Sequence, residues 1–85
     1  MTFADSLVSS PPVQRVKLTP REEETLDWII DGRSIDEAAS LMGIPPRTAK
    51  YYSDRLRVKF GVARRRELIR LGREWFDDAE GQGAA

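Results

Sequence analysis

The chain contains no cysteine and no histidine in 85 residues. Without thiols there are no disulfides, thiolate zinc sites or cysteine nucleophiles, and without imidazole the commonest general base and metal ligand is gone. Oxygen-only metal sites remain, yet no calcium loop of alternating acids closing on glycine is present, and no glycine-rich phosphate cradle ending in Lys-Ser/Thr. An enzyme, a metal and a cofactor are therefore not expected. Long hydrophobic runs are missing as well, the longest being Trp28-Ile29-Ile30, so no segment reads as a membrane span. Residues 1–8 lack the basic start and sustained apolar stretch of a secretory signal, and the cytoplasm is the expected compartment.

Net charge is absent too, with 14 cations against 14 anions, which would ordinarily argue against a polyanionic partner. The arrangement along the chain reverses that conclusion. Residues 1–43 hold four cations and eight anions, −4, and residues 74–85 hold four anions and no cation, again −4. Between them Arg47, Lys50, Arg55, Arg57, Lys59, Arg64, Arg65, Arg66, Arg70 and Arg73 face only Asp54 and Glu67, giving +8. A chain this short buries little core, so an oligomer is expected.

The pattern predicts one all-α domain over residues 18–79, preceded by a flexible arm at 1–17 with Ser9-Ser10-Pro11-Pro12 and followed by a frayed tail at 80–85. Thr19 and Glu22 form a T-x-x-E capping box with Pro20 at the first helical position, and Leu26, Ile29 and Ile30 supply a buried stripe with Trp28 at its rim. Gly32 ends that helix. Ser34 and Glu37 repeat the box for a second helix burying Ile35, Ala38, Ala39, Leu41 and Met42, which stops at Gly43. After a short turn, Pro46 opens a third helix running to Phe60 before Gly61, with Ala49, Tyr52, Leu56 and Phe60 inward and Arg47, Lys50, Tyr51, Asp54 and Arg55 outward. A short helix, a tight turn and a longer helix make a helix-turn-helix candidate. The fourth helix is expected from about Arg65 to Ala79, its stripe running through Leu68, Leu71 or Gly72, Trp75 and Ala79, widened by Ile69 and Phe76. The first three helices are expected to close a core of this size, which leaves Trp75 and Phe76 as spare apolar surface for a partner helix.

Leu18-Thr19-Pro20-Arg21-Glu22, Glu24-Thr25-Leu26, Gly32, Ser34, Glu37, Ala39, Ile44, Thr48, Lys50, Lys59, Gly61 and Val62 stand in one register, and over residues 18–72 the chain resembles the LuxR/GerE-type helix-turn-helix domain. The resemblance implies a four-helix DNA-binding domain of bacterial transcription regulators, with the third helix in the major groove and the fourth in dimer contact. In that family the module commonly follows a receiver or ligand-binding domain. The 17 residues before Leu18 are too few for one, so the stand-alone class typified by GerE is the expected kind. The chain also departs from the pattern: Pro45-Pro46 replaces a Ser or Thr cap, Tyr52 a common His, Ala49 a usual Val, and Asp54 a basic or polar residue.

Bound to double-stranded DNA, such a domain would hold phosphates with Arg47, Thr48, Arg55, Arg57 and Lys59, joined by Arg64, Arg65 and Arg66 at the start of the fourth helix. Bases would be read by Lys50 on guanine O6/N7, Tyr51 on a thymine methyl and Asp54 on cytosine N4. Asp54 could equally pair with Lys50 or Lys59. The expected dimer surface is Leu68, Leu71, Gly72, Trp75 and Phe76, although Trp75 and Phe76 could instead pack on Phe3, Leu7 and Val8 of the arm. The expected function is a homodimeric, sequence-specific regulator. The alternative is an antiactivator-like interaction protein pairing with a larger regulator through its fourth helix. A sigma-factor-like promoter module, needing an RNA polymerase subunit, uses the same fold.

Overall fold

The computed structural model describes residues 16–84, with side-chain surroundings through residue 78. It holds four helices and, among the described residues, no strand: α1 (Pro20–Ile30), α2 (Ile35–Met42), α3 (Pro46–Phe60) and α4 (Arg65–Ala84).

Each of the first two helices begins where a side chain satisfies the backbone donors that a helix start leaves open. The Glu22 amide donates to Thr19 Oγ1 (3.2 Å) and the Thr19 amide to Glu22 Oε1 (2.9 Å). In α2 the Glu37 amide donates to Ser34 Oγ (3.1 Å) and the Ser34 amide to Glu37 Oε1 (2.9 Å). The third helix has no side-chain cap; Pro45 stands in the cap position and Pro46, lacking an N–H, removes one of the donors that would need satisfying. The turn between α2 and α3 depends on Gly43 at φ 71°, a left-handed conformation that a side chain would strain, closed by the Ile44 amide donating to the Ala39 carbonyl (3.0 Å).

Leu26, Ile29, Leu56 and Leu68, each at most 1% exposed, form the centre of the core. Leu18, Ile30, Ile35, Phe60, Val62, Ile69, Trp75 and Phe76 pack around them. Two expectations fail on this point. Leu41 is 51% exposed, because Ala38, Ala39 and Met42 define the inward stripe of α2 and Leu41 falls about a third of a turn off it. The fourth helix is also not an outlier waiting for a partner. Leu68 belongs to the central cluster, and a Cβ on Gly72 would lie 2.8 Å from Leu26 Cδ1. Three helices leave the core open, and α4 closes it. Leu68 and Gly72 are thus used inside the protomer.

The far end of α4 runs to Ala84, past the expected Ala79. Among the glycines whose surroundings are described, positive φ occurs at Gly32, Gly43 and Gly61, each of which follows the end of a helix.

The main chain entering α1 is held by two helices at once. Trp75 Nε1 of α4 donates to the Val16 carbonyl (2.8 Å), and Lys59 Nζ of α3 donates to the Lys17 carbonyl (2.9 Å). Trp75 also meets Phe76 edge to face at 5.0 Å between ring centres. The proposed contacts of Trp75 and Phe76 with Phe3, Leu7 and Val8 lie outside the described residues.

Candidate nucleic-acid interface

The third helix is buried along Ala49, Ser53 and Leu56, and this turns Arg47, Lys50, Tyr51, Asp54, Arg55 and Val58 outward. Tyr51 and Val58 are 56% and 78% exposed, large apolar side chains on a face otherwise made of charge. They lie seven residues apart, two turns along one line of the helix. The outward direction of Val58 was legible from that spacing and was missed. Thr48, in the first turn, is half-buried.

The cations divide into those turned outward and those used within the fold. Arg47, Arg64 and Arg66 are exposed and, among the described residues, make no ion pair. Lys50 Nζ lies 3.4 Å from Asp54 Oδ2, and Arg57 Nη1 lies 3.2 Å from Asp54 Oδ1 and 3.3 Å from Ser53 Oγ. Asp54 therefore pairs with Lys50, as one alternative anticipated, and with Arg57 rather than Lys59. The Arg65 guanidinium donates to the Arg33 carbonyl, tying the start of α4 to the turn between α1 and α2.

Lys59 is the clearest departure from the expected phosphate set. Its ammonium faces inward, 2.6 Å from Glu22 Oε1, while Arg55 Nε stands 3.5 Å from Glu22 Oε2. The Glu22 side chain is 3% exposed, so the pair is screened from water on one side. Burial alone would raise the Glu22 pKa; the hydrogen bond from Lys59, the Thr19 amide, the Lys59 charge and the hydrogen bond from Arg55 outweigh it and hold the carboxyl below its ordinary value. Glu22 and Lys59 are 37 residues apart, and nothing in the local pattern links them. One residue thus closes the cap of α1 and anchors the last turn of α3. Only the cap was legible in the sequence.

No group of acids among the described residues could hold a metal ion, and no helix of the structure is long and apolar enough to cross a membrane.

What these elements define is a helix-turn-helix unit in α2 and α3, braced by α1 and α4, with a charged outer face on α3. Residues 16–71 match the family of bacterial regulatory proteins known as the luxR family, and the chain belongs to it. The transcriptional activator protein YukR of Yersinia ruckeri is 42% identical over 57 residues, which are 67% of this chain and 25% of YukR. The transcriptional activator protein EsaR of Pantoea stewartii subsp. stewartii is 41% identical over 54 residues, 64% of this chain and 22% of EsaR. The chain spans about a quarter of the length of these relatives. Among solved structures, the phage VqmA–DPO complex superposes with a TM-score of 0.66 at 32% identity, over 85% of this chain and 32% of that one.

Proposed function

We propose that this domain is a sequence-specific DNA-binding regulator of transcription that inserts α3 into the major groove of double-stranded DNA and acts as a homodimer through α4. The observation that carries the reading is the outward face of α3: Arg47, Lys50, Tyr51, Asp54 and Arg55 stand exposed on a helix of 15 residues, roughly 22 Å long. Arg47, Thr48, Arg55 and Arg57 hold phosphates, joined by Arg64, Arg65 and Arg66, while Lys50 reads guanine, Tyr51 a thymine methyl and Asp54 an amino group. Lys59 serves by positioning the end of α3 against Glu22 rather than by touching DNA.

A salt titration on random duplex, followed by selection of enriched sequences, tests the reading. The association is expected to weaken linearly in log–log form, with Arg47→Ala lowering the slope by about 0.9 and weakening all sequences alike. Lys50→Ala is expected to relax sequence preference by about 1–3 kcal/mol at one base pair. Failure of the wild-type chain to bind any duplex at low salt would overturn the assignment.

For the dimer, the supporting feature is the order of charge on the outer face of α4. Arg66, Arg70 and Arg73 come first and Glu74 and Asp77 follow, all exposed. That order sets a basic first half of the helix before an acidic middle, with Arg66 in the first turn against the helix macrodipole. A second copy running antiparallel answers it, setting Arg70 against the partner's acidic half, with half-buried Ile69 and Phe76 at the edge of the contact. Arg70→Glu is expected to weaken self-association in sedimentation equilibrium by about fivefold, and adding Asp77→Arg to restore it. A wild-type monomer at every concentration would contradict the dimer. Trp75 is a poor probe here, because it holds Val16 within the protomer.

A further inference from the structure

The third helix carries five cations and a single acid, Asp54. That acid stands on the outward face between Lys50, one turn before it, and Arg57, almost one turn after it, in contact with both at 3.4 and 3.2 Å. Stability does not explain the arrangement. Exposed pairs of this kind contribute little, and the order in which Lys50 precedes Asp54 is the weaker of the two orders on a helix. Its effect is on the charge of that face: exposed Lys50 and half-buried Arg57 are partly neutralised, and a carboxylate is set between them.

We infer that Asp54 is a specificity-determining residue that works by withholding Lys50 and Arg57 from indiscriminate phosphate contact. The inference rests on α3 entering the major groove. On a duplex of arbitrary sequence, Asp54 repels the phosphates and keeps its two neighbours occupied. Only a base offering an amino donor in the groove, cytosine N4 or adenine N6, gives Asp54 a replacement partner. Lys50 is then released to a guanine, and Arg57 to the backbone. Lys50 and Asp54 are separated by four residues, about 6 Å along the helix, so the guanine and the amino-bearing base lie within about two base steps of each other. Discrimination arises from the penalty at wrong sites as much as from the contact at the right one.

The test measures binding of the wild-type chain, Asp54→Asn and Asp27→Asn to random duplex and to the best duplex recovered by selection, each across a salt series. Asp27 is an exposed acid on α1, so its variant carries the same change in net charge away from α3. Asp54→Asn is expected to bind random duplex about tenfold tighter near ~0.1 M salt, with a log–log slope steeper by about 1.8 as two cations become available. Its preference for the selected duplex should fall by at least as much, while Asp27→Asn leaves that preference unchanged. An Asp54→Asn variant with wild-type affinity, slope and preference overturns the inference and leaves the DNA reading standing. An equal gain in Asp27→Asn, or equal gains on both duplexes, also overturns it by reducing the effect to bulk charge. If neither wild type nor variant binds any duplex at low salt, the DNA reading falls and this inference with it.

Discussion

Glu22→Ala is expected to lower the unfolding free energy by about 2–3 kcal/mol at neutral pH, measured by urea titration. A helix cap alone is worth about 1 kcal/mol, and if Glu22 served only Thr19 the loss would stop there. The larger figure comes from what is stranded. Removing the carboxylate leaves the Thr19 amide, the Lys59 ammonium and the Arg55 guanidinium without the acceptor they share. The loss stays below the full cost of breaking a buried pair, because the Lys59 side chain is 24% exposed and recovers some hydration. Lys59→Met should cost a comparable amount. The double variant should cost less than the two singles together, the excess being the pairwise interaction.

The same cluster fixes a pH dependence. The folded-state pKa of Glu22 lies below its ordinary value, so the stability it supplies is complete above about pH 4.3 and is lost as pH falls through the folded value. The stability difference between wild type and Glu22→Gln is therefore expected to shrink as pH falls below about 4.3. A difference that stayed constant down to about pH 2.5 would show that the carboxylate charge is not what matters.

Gly72→Leu is expected to destabilise the domain by about 3 kcal/mol, the upper end for overpacking a filled core. A Cβ at this position would stand 2.8 Å from Leu26 Cδ1, 3.0 Å from Ile30 Cδ1 and 3.2 Å from Leu26 Cγ. Leu26 has no exposed surface and cannot swing aside without displacing Ile29 or Leu56. Gly72→Ala sets two effects against each other: a helix-propensity gain of about 1 kcal/mol and a contact that the Leu26 methyl must relieve by moving. Its net change should be under about 1 kcal/mol. Leu26→Ala opens the space that the larger side chain at position 72 would need, so combining it with Gly72→Leu should give a protein at least about 1 kcal/mol more stable than the summed singles. Strict additivity would place the strain somewhere other than the α1–α4 contact.

Glu22 and Gly72 also show what could be read before the fold was known. The starts of α1 and α2 were legible because a capping box is written within four residues. The start of α3 and its end at Gly61 were legible because Pro and Gly each carry a local backbone requirement. The stripe on α4 is legible as a stripe, yet periodicity names a buried face without naming what buries it, and only the fold shows that Leu26, not a second chain, covers Leu68 and Gly72. Leu41 failed for a related reason: a short helix offers too few positions to settle the centre of its apolar face. On α3 the outward set was recoverable from angles alone. The division of its cations was not, since the contact of Lys59 with Glu22 crosses 37 residues of chain and depends on how α1 and α3 meet.

The two carbonyls caught ahead of α1 bear on mechanics. Val16 and Lys17 are adjacent, and each is hitched to a different helix, one through an indole and one through an ammonium. The main chain at this point has little freedom to swivel: turning it breaks the peg on α4, the peg on α3, or both. The entry to α1 is thereby coupled at one point to the last turn of the helix with the charged outer face and to the closing helix of the core, and a change in its path requires a change at one or the other.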